Sequence, residues 1–168
     1  CGFPLYDEQY AFLEELIRVL QLEQADCLVI AGDLFDRSVA PTQAVTLLSD
    51  ALVRIREETG VPILAIAGNH DSGERLSFLS KLLQNSGVYL AGTLHPRIEP
   101  VILSDRFGEV HFYLLPYFEP AEVRALWPDC NCAGFDATYR FVLDTIVREM
   151  DPYVRNVIVT HGFFAMSG

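Results

Sequence analysis

The chain has 168 residues, of which 51% are hydrophobic and 21% charged, and this is the size and composition of one globular domain rather than of a disordered segment. Its net charge of −11 excludes a broad basic surface for nucleic-acid binding, although bound cations can still bring a phosphodiester to an acidic protein. No apolar run approaches the roughly 20 residues of a membrane span, so we expect no membrane contact.

Helical patterns and short apolar runs alternate in the first half of the chain. Residues 7–24 place apolar side chains at helical spacing, and residues 26–32 form a short apolar run that predicts a buried strand. The pattern continues with a helix over 41–58 that begins with proline, a strand over 62–68 and a helix over 72–85. This alternation of helix and strand is typical of an α/β protein.

The second half of the chain is richer in strands. Its predicted elements are strands over 88–91, 100–104, 110–115 and 155–160 and helices over 119–125 and 135–149. The helix over 135–149 is expected to be capped around Asp136. The complete order predicts an α/β sandwich, with mixed sheets flanked by helices.

The cysteines point to a reducing environment. Cys27 lies inside an apolar run and is expected to be a small core residue. Cys130 and Cys132 are too close together to form a zinc site by themselves. We therefore expect reduced cysteines in a cytoplasmic protein.

Three predicted strands end in residues that bind metal ions. The segment "LVIAGDLFD" has Asp33 in the turn after its strand. In the same position, "LAIAGNHD" has Asn69 and His70, and "VIVTHG" has His161. Because ligands of open α/β sheets bind beyond the carboxyl ends of the strands, we expect these side chains to lie close together. Each segment alone is more typical of a turn or a helix cap, but the three together favour a metal site.

These residue types suit phosphoester chemistry. Two metal ions about 3.5–4 Å apart can hold a phosphoryl group and activate water, and Asp33 is placed to bridge such a pair. The amide oxygen of Asn69 and the imidazole of His161 complete a mixed O/N shell that suits Mn²⁺ better than thiolate-preferring ions. His70 could contact the phosphate and protonate the leaving oxygen, with Asp36 orienting its imidazole.

The other polar residues nearby have structural interpretations. Asp71 or Ser72 is expected to cap the helix that follows "GNHD". His95 and His111 have no metal-binding residues around them in the sequence, and His111 alternates with apolar residues on a predicted strand face. We interpret both histidines as structural.

The motifs "GDLFDR", "AGNHDS" and "VTHG" resemble the central motifs of the calcineurin-like metallophosphoesterases. Within that superfamily, "GDLFDRSVAP", "GNHDS" and "YLLPY" are most similar to the SbcD-type nuclease subunits. The resemblance implies that Asp33 bridges two metal ions and that Asn69 and His161 bind the second of them. It also implies that His70 is the catalytic histidine, with Asp36 as its acidic partner, although some nuclease relatives differ at that position.

The resemblance further implies Mn²⁺-dependent exonuclease or endonuclease cleavage of DNA in repair, recombination and replication. It implies a homodimer formed through the phosphoesterase domain and an SbcC-type ATPase subunit as partner. The family's first Asp-x-His motif and its closing Gly-His-x-His motif are not in this sequence. Residues 1–168 are therefore expected to form a metallophosphoesterase domain core, incomplete at both ends, that binds metal weakly and is inactive alone.

Two other functions remain open from the sequence. The same chemistry would serve a small-molecule phosphodiesterase or a protein phosphatase. A different class is a non-catalytic interaction module that keeps the fold with a degenerate site. The polar residues retained at the three strand ends argue against this second alternative.

Overall fold

The computed structural model describes residues 5–78 and 80–164. The elements in chain order are α1 (Tyr6–Leu22), β1 (Leu28–Ala31), α2 (Thr42–Thr59), β2 (Ile63–Ile66), α3 (Gly73–Ser77), α4 (Ser80–Gln84), β3 (Val88–Ala91), β4 (Val101–Asp105), β5 (Gly108–Leu115), α5 (Pro120–Leu126), α6 (Gly134–Glu149) and β6 (Arg155–Thr160). None of the helices in the described part of the chain is long and apolar enough to cross a membrane.

The strands form two three-stranded sheets. In the first sheet β2 lies between β1 and β3, and all three strands are parallel. In the second sheet β5 pairs antiparallel with β4 and parallel with β6. The two sheets pack face to face through a buried cluster that consists of Leu64, Ile66, Phe112, Leu114 and Val159. This arrangement confirms the predicted α/β sandwich with mixed sheets.

Helices cover the outer faces of both sheets. Leu13, Ile17 and Leu20 repeat at helical spacing on α1 and pack with Ile55 of α2 and Ile63 of β2. On the other side, α5 and α6 bury a second cluster against β5, which includes Tyr113, Leu115, Phe118, Val123, Tyr139, Val142 and Ile146. With both outer faces covered, the carboxyl ends of β1, β2 and β6 form a rim that is open to solvent.

The predicted single helix over 72–85 is wrong, because the chain forms α3 and α4 with a break between them. Phe78 has an extended backbone with φ −61° and ψ 125° and ends α3. Gly73 lies so close to the backbone of Gly92 that a Cβ on either glycine would collide with the other residue, which fixes the start of α3 beside the end of β3. The apolar pattern continues through the break and therefore gave no indication of it.

Two predicted helix caps are also wrong. Ser72 occupies the position before α3, but neither its hydroxyl nor the Asp71 carboxylate caps the helix, and Ser72 Oγ instead lies 3.5 Å from a Glu74 carboxylate oxygen. Helix α6 begins after Ala133, without a side-chain cap. Asp136 lies inside its first turn and accepts a hydrogen bond from Arg140, one turn further along the helix.

The expectation of reduced cysteines is wrong for one pair. Cys130 and Cys132 are joined by a disulfide in the connection between α5 and α6. The chain turns back on itself there and brings their Cα atoms to 5.4 Å, a separation that a disulfide spans. Cys27 is free and half-buried beside the cluster between the sheets, and burial raises the pKa of its thiol. The cytoplasmic location stays a prediction.

Candidate active site

Three of the predicted site residues meet at the open rim. His161, directly after β6, places Nε2 3.0 Å from Oδ1 of Asn69, which follows β2. The same Nε2 lies 3.6 Å from Oδ2 of Asp33, which follows β1. The site therefore joins the carboxyl ends of strands from both sheets. This agrees with the expectation that ligands of α/β sheets bind beyond the carboxyl ends of the strands.

The hydrogen bonding of His161 defines which of its ring atoms faces the site. Its Nδ1 lies 2.7 Å from the carbonyl oxygen of Ala31, which can only accept, so Nδ1 carries the proton. In the neutral ring Nε2 then holds a lone pair, and it faces oxygen atoms of Asn69 and Asp33. An imidazole nitrogen with two oxygen atoms close to it suits a proton on Nε2 or a metal cation beside it.

The donor set fits a single divalent ion. It contains one carboxylate, one amide oxygen and one imidazole nitrogen, a combination that hard or borderline ions accept. No three His, Cys, Asp or Glu side chains come together as a metal cluster within residues 5–78 and 80–164. A second ion would therefore need ligands in addition to Asp33, Asn69 and His161.

The turn after β1 has an unusual backbone that presents Asp33. Gly32 has φ +98° and Asp33 has φ +52°, and the second of these values is uncommon for a residue with a side chain. A Cβ on Gly32 would collide with the ring of His161, so only glycine allows this imidazole to lie against the turn. Asp33 Oδ1 also accepts a hydrogen bond from the backbone N–H of His70 at 3.1 Å.

Asp71 connects the turn after β1 to the turn after β2. Its carboxylate accepts backbone hydrogen bonds from Leu34 at 3.1 Å, Phe35 at 2.9 Å and Gly68 at 2.8 Å. These three N–H groups belong to the two segments that carry Asp33 and Asn69. Asp71 therefore positions the candidate ligands instead of capping α3.

His70 and Asp36 are neighbours, but not through the predicted carboxylate contact. His70 Nδ1 lies 2.9 Å from the main-chain oxygen of Asp36, which fixes the proton on Nδ1 and leaves Nε2 to exchange a proton. The Asp36 carboxylate pairs with Arg37 at 2.8 Å, and this hydrogen bond lowers the pKa of Asp36. His70 thus contacts the main-chain carbonyl of Asp36, and not the carboxylate that the sequence predicted.

The other two histidines lie outside this site. Nε2 of His95 is 3.4 Å from the hydroxyl of Thr93, beyond the end of β3. His111 lies within β5, and its Nε2 is 3.1 Å from a carboxylate oxygen of Glu109. Neither contact involves Asp33, Asn69 or His161.

Two tyrosines at the site were missed by the sequence reasoning. Tyr117 follows β5, its N–H donates to the carbonyl of Ala67 at 2.8 Å, and its ring lies edge-on to His161 with 6.5 Å between centroids. Its hydroxyl donates to Glu119 at 2.6 Å, which raises the pKa of Tyr117 to about 12. Tyr139 donates to the main-chain oxygen of His161 at 2.8 Å. A search for polar residues that directly follow predicted strands would have found Tyr117 after β5. Tyr139 lies within a helix, where the sequence shows no such signal.

Comparison with known proteins identifies the family of the chain. The family model described as calcineurin-like phosphoesterase matches residues 6–129, which is most of the chain. The chain belongs to the calcineurin-like phosphoesterase family, and the predicted resemblance is confirmed.

Two curated relatives carry a more specific name. The protein named as the SbcD subunit of the nuclease SbcCD from Staphylococcus saprophyticus is 32% identical over 160 residues, and its counterpart in Staphylococcus epidermidis is 30% identical over 160 residues. In both comparisons the aligned region covers 95% of this chain and 42% of the relative. The chain thus spans less than half the length of these relatives.

Proposed function

We propose that this chain is the core of a metal-dependent nuclease that hydrolyses phosphodiester bonds of DNA. Its family membership supports phosphoester hydrolysis, and the names of the two relatives support a nuclease. The observation that carries the proposal is the approach of His161 Nε2 to acceptor oxygens of Asn69 and Asp33. Such an arrangement suits a cation, and a cation would allow an acidic protein to bind a phosphate.

Asp33, Asn69 and His161 would hold the ion, and we propose Mn²⁺ as the metal and two ions as the complete set. When bound, the ions supply Lewis acidity to the phosphoryl oxygen and lower the pKa of the attacking water. The hydrogen bond from His161 Nδ1 to Ala31 keeps the ring oriented with Nε2 towards the site. The N–H of His70 holds one oxygen of Asp33, so the other oxygen faces His161.

His70 is proposed as the residue that protonates the leaving oxygen. Its side chain is exposed beside Asp33, and its Nδ1 is occupied by the Asp36 carbonyl. The remaining nitrogen, Nε2, can deliver a proton to a substrate oxygen. Asp36 acts as a positioning residue, through its main chain in the observed arrangement.

For a full-length protein that contains this chain, we propose a homodimer in the cytoplasm that works with an SbcC-type ATPase subunit on DNA ends. DNA repair, recombination and replication are the processes in which such ends arise. A chain with a net charge of −11 has little electrostatic affinity for DNA phosphates. In this proposal, metal ions and the partner subunit supply the positive charge that binds the DNA.

The test is a cleavage assay on the full-length protein with Mn²⁺, linear duplex DNA and bis-p-nitrophenyl phosphate. His70→Ala should reduce DNA cleavage by about 10²-fold or more, the usual contribution of a general acid. His95→Ala is the matched control and should retain activity.

Three outcomes would contradict the proposal. Cleavage of the small ester but not of DNA would identify a small-molecule phosphodiesterase. No hydrolysis of either substrate would favour an interaction module. Unchanged cleavage by His70→Ala would place the proton donor elsewhere.

A further inference from the structure

A pocket of about 680 Å³ opens directly beside the candidate metal ligands. It shares Asn69 and His161 with the site described above. Its remaining wall is dominated by five aromatic side chains, namely Tyr117, Phe135, Tyr139, Phe163 and Phe164. The volume lies in the range of about 300–1,000 Å³ that is usual for pockets that bind small ligands.

The rings form a series that begins at the candidate metal ligand. The centroid of Tyr117 lies 6.5 Å from that of His161 and 6.4 Å from that of Phe135, so Tyr117 links the site to the pocket. Phe164 lies edge-on to Tyr139 at 5.5 Å. A group bound among these rings would therefore be attached to a phosphate at the site by only a short linker.

Several of these rings are unusually exposed. Phe135 is 47% exposed and Phe164 60%, although large apolar side chains usually lie in the interior. A cluster of exposed apolar residues beside a site marks a surface that binds another group. The rings thus point to a flat, apolar ligand.

The charges around the pocket restrict what that ligand can be. Asp136 lines the pocket, but its carboxylate pairs with Arg140 at 3.0 Å, and Glu119 accepts the hydrogen bond of the Tyr117 hydroxyl. Among the described residues that line the pocket there is no lysine or arginine to bind a phosphate, so the pocket does not suit the sugar–phosphate backbone. A nucleobase is uncharged and flat, and it stacks well on aromatic rings.

We infer that this pocket binds the nucleobase next to the phosphodiester that lies at the candidate metal site. The inference rests on the proposed function, because that function places a nucleotide at His161. A base in this pocket has left its stack in the DNA, as in enzymes that turn a base out of the helix. Because every base has a π-face, the pocket should accept all four bases with little preference.

The test measures binding and needs no catalysis. The probe is 2-aminopurine deoxyribonucleoside 5′-monophosphate, whose fluorescence falls when its base stacks on aromatic rings. The titration is made in Mg²⁺ with the full-length protein that contains this chain. We expect saturable quenching. Phe135→Ala should weaken binding about tenfold, which corresponds to a typical stacking contribution. Phe135→Tyr keeps a ring at this position and should retain the binding.

The chain offers a matched control. Phe107 is 73% exposed on the turn between β4 and β5, where the guanidinium carbon of Arg106 lies 4.7 Å from its ring centroid. Phe107→Ala should leave the quenching unchanged. Thymidine 5′-monophosphate should displace the probe at a concentration about tenfold lower than 2-deoxyribose 5-phosphate, which has the phosphate but no base.

The inference is overturned by absent quenching, by equal effects of the Phe135→Ala and Phe107→Ala variants, or by equal potency of thymidine 5′-monophosphate and 2-deoxyribose 5-phosphate as competitors. Circular dichroism of Phe135→Ala shows whether lost binding reflects lost folding, and Phe135→Tyr supplies a folded comparison. Quenching without DNA cleavage by the full-length protein would retain the base pocket and contradict the nuclease. Cleavage of DNA without quenching of the probe would support the nuclease and contradict the base pocket.

Discussion

Asn69 Oδ1 and His161 Nε2 lie 3.0 Å apart, although 92 residues separate them in the sequence. Asn69 follows a strand of the parallel sheet and His161 follows a strand of the mixed sheet, so this contact joins the rims of both sheets. Because His161 Nδ1 donates to Ala31, both facing atoms are acceptors when the ring is neutral. A proton on Nε2 or a metal ion beside the two atoms makes their approach favourable.

The first prediction is that the paramagnetic ion Mn²⁺ binds beside Asn69 and His161. Addition of Mn²⁺ to the chain should broaden the NMR signal of the His161 ring before those of His95 and His111, because paramagnetic relaxation falls steeply with distance. Asn69→Ala should reduce the broadening at His161, since it removes an oxygen ligand. Equal broadening of all three histidines, or an unchanged effect in Asn69→Ala, would contradict a metal site here.

Periodicity and strand ends account for what the sequence could predict. The helical spacing of Leu13, Ile17 and Leu20 identified α1, because a buried helix face repeats with the helical turn. The polar residues after apolar runs identified Asp33 and His161, because the carboxyl ends of strands meet at one rim. Both inferences use patterns within a few residues, which sequence shows directly.

The contacts that complete the site depend on distant segments and could not be predicted in this way. The carboxylate of Asp71 bonds the N–H of Leu34, 37 residues earlier, and no local pattern shows which backbone groups of a distant turn need an acceptor. Tyr139 reaches His161 from inside α6, where its spacing is that of an ordinary core residue. The disulfide between Cys130 and Cys132 depends on how sharply their connection turns.

The second prediction separates two effects of a glycine. Gly32→Ala should destabilise the fold by about 2 kcal/mol or more, because it adds a collision with the His161 ring to the cost of a positive φ. Gly108 also has a positive φ of +112°, with no atom within 4 Å of the Cβ position. Gly108→Ala therefore has the backbone cost alone, and chemical denaturation of both variants measures the difference.

The Gly32 variant should also disturb the ring of His161, while the Gly108 variant should not. The chemical shifts of the His161 imidazole report this effect directly. Equal free energies of unfolding for the two variants, with unchanged His161 shifts, would show that the imidazole does not lie against the turn.

The third prediction concerns pH. Arg155 donates to both oxygens of Asp105 at 2.6 and 2.7 Å and, as the largest cause, lowers the pKa of Asp105 from 3.8 to about 2. A lowered pKa in the folded state means that this contribution is fully present above pH 3.8 and is lost as the pH falls towards 2. The stability of Asp105→Asn should therefore fall less than that of the parent chain as the pH decreases from 3.8 to 2.

The measurement is the urea midpoint between pH 5 and pH 2, an interval that begins about one unit above the ordinary pKa of 3.8 and ends at the folded-state pKa of about 2. Asp50→Asn, an exposed carboxylate on α2, is the control and should keep the slope of the parent chain. If Asp105→Asn shows the same slope as Asp50→Asn, the ion pair with Arg155 does not connect β4 to β6 in solution.

The fourth prediction tests Asp71 as the connection between the two ligand-bearing turns. Asp71→Asn should reduce the free energy of unfolding by about 2 kcal/mol, because a neutral amide replaces a charged acceptor of several hydrogen bonds. It should also speed hydrogen exchange at the Leu34 or Phe35 amide, because these N–H groups bind different oxygens of the carboxylate and asparagine keeps only one of the two as an acceptor. Asp144→Asn, on the exposed face of α6, should change neither quantity.

The exchange data distinguish positioning from general stability. A variant that only loosens the fold exchanges faster at many amides, whereas loss of this connection acts first on Leu34, Phe35 and Gly68. Metal binding should weaken in the same variant, because the turn that presents Asp33 is no longer held against the turn of Asn69. Unchanged protection of these amides in Asp71→Asn would remove Asp71 from the site and leave the Asp33 turn to be held by the His70 N–H alone.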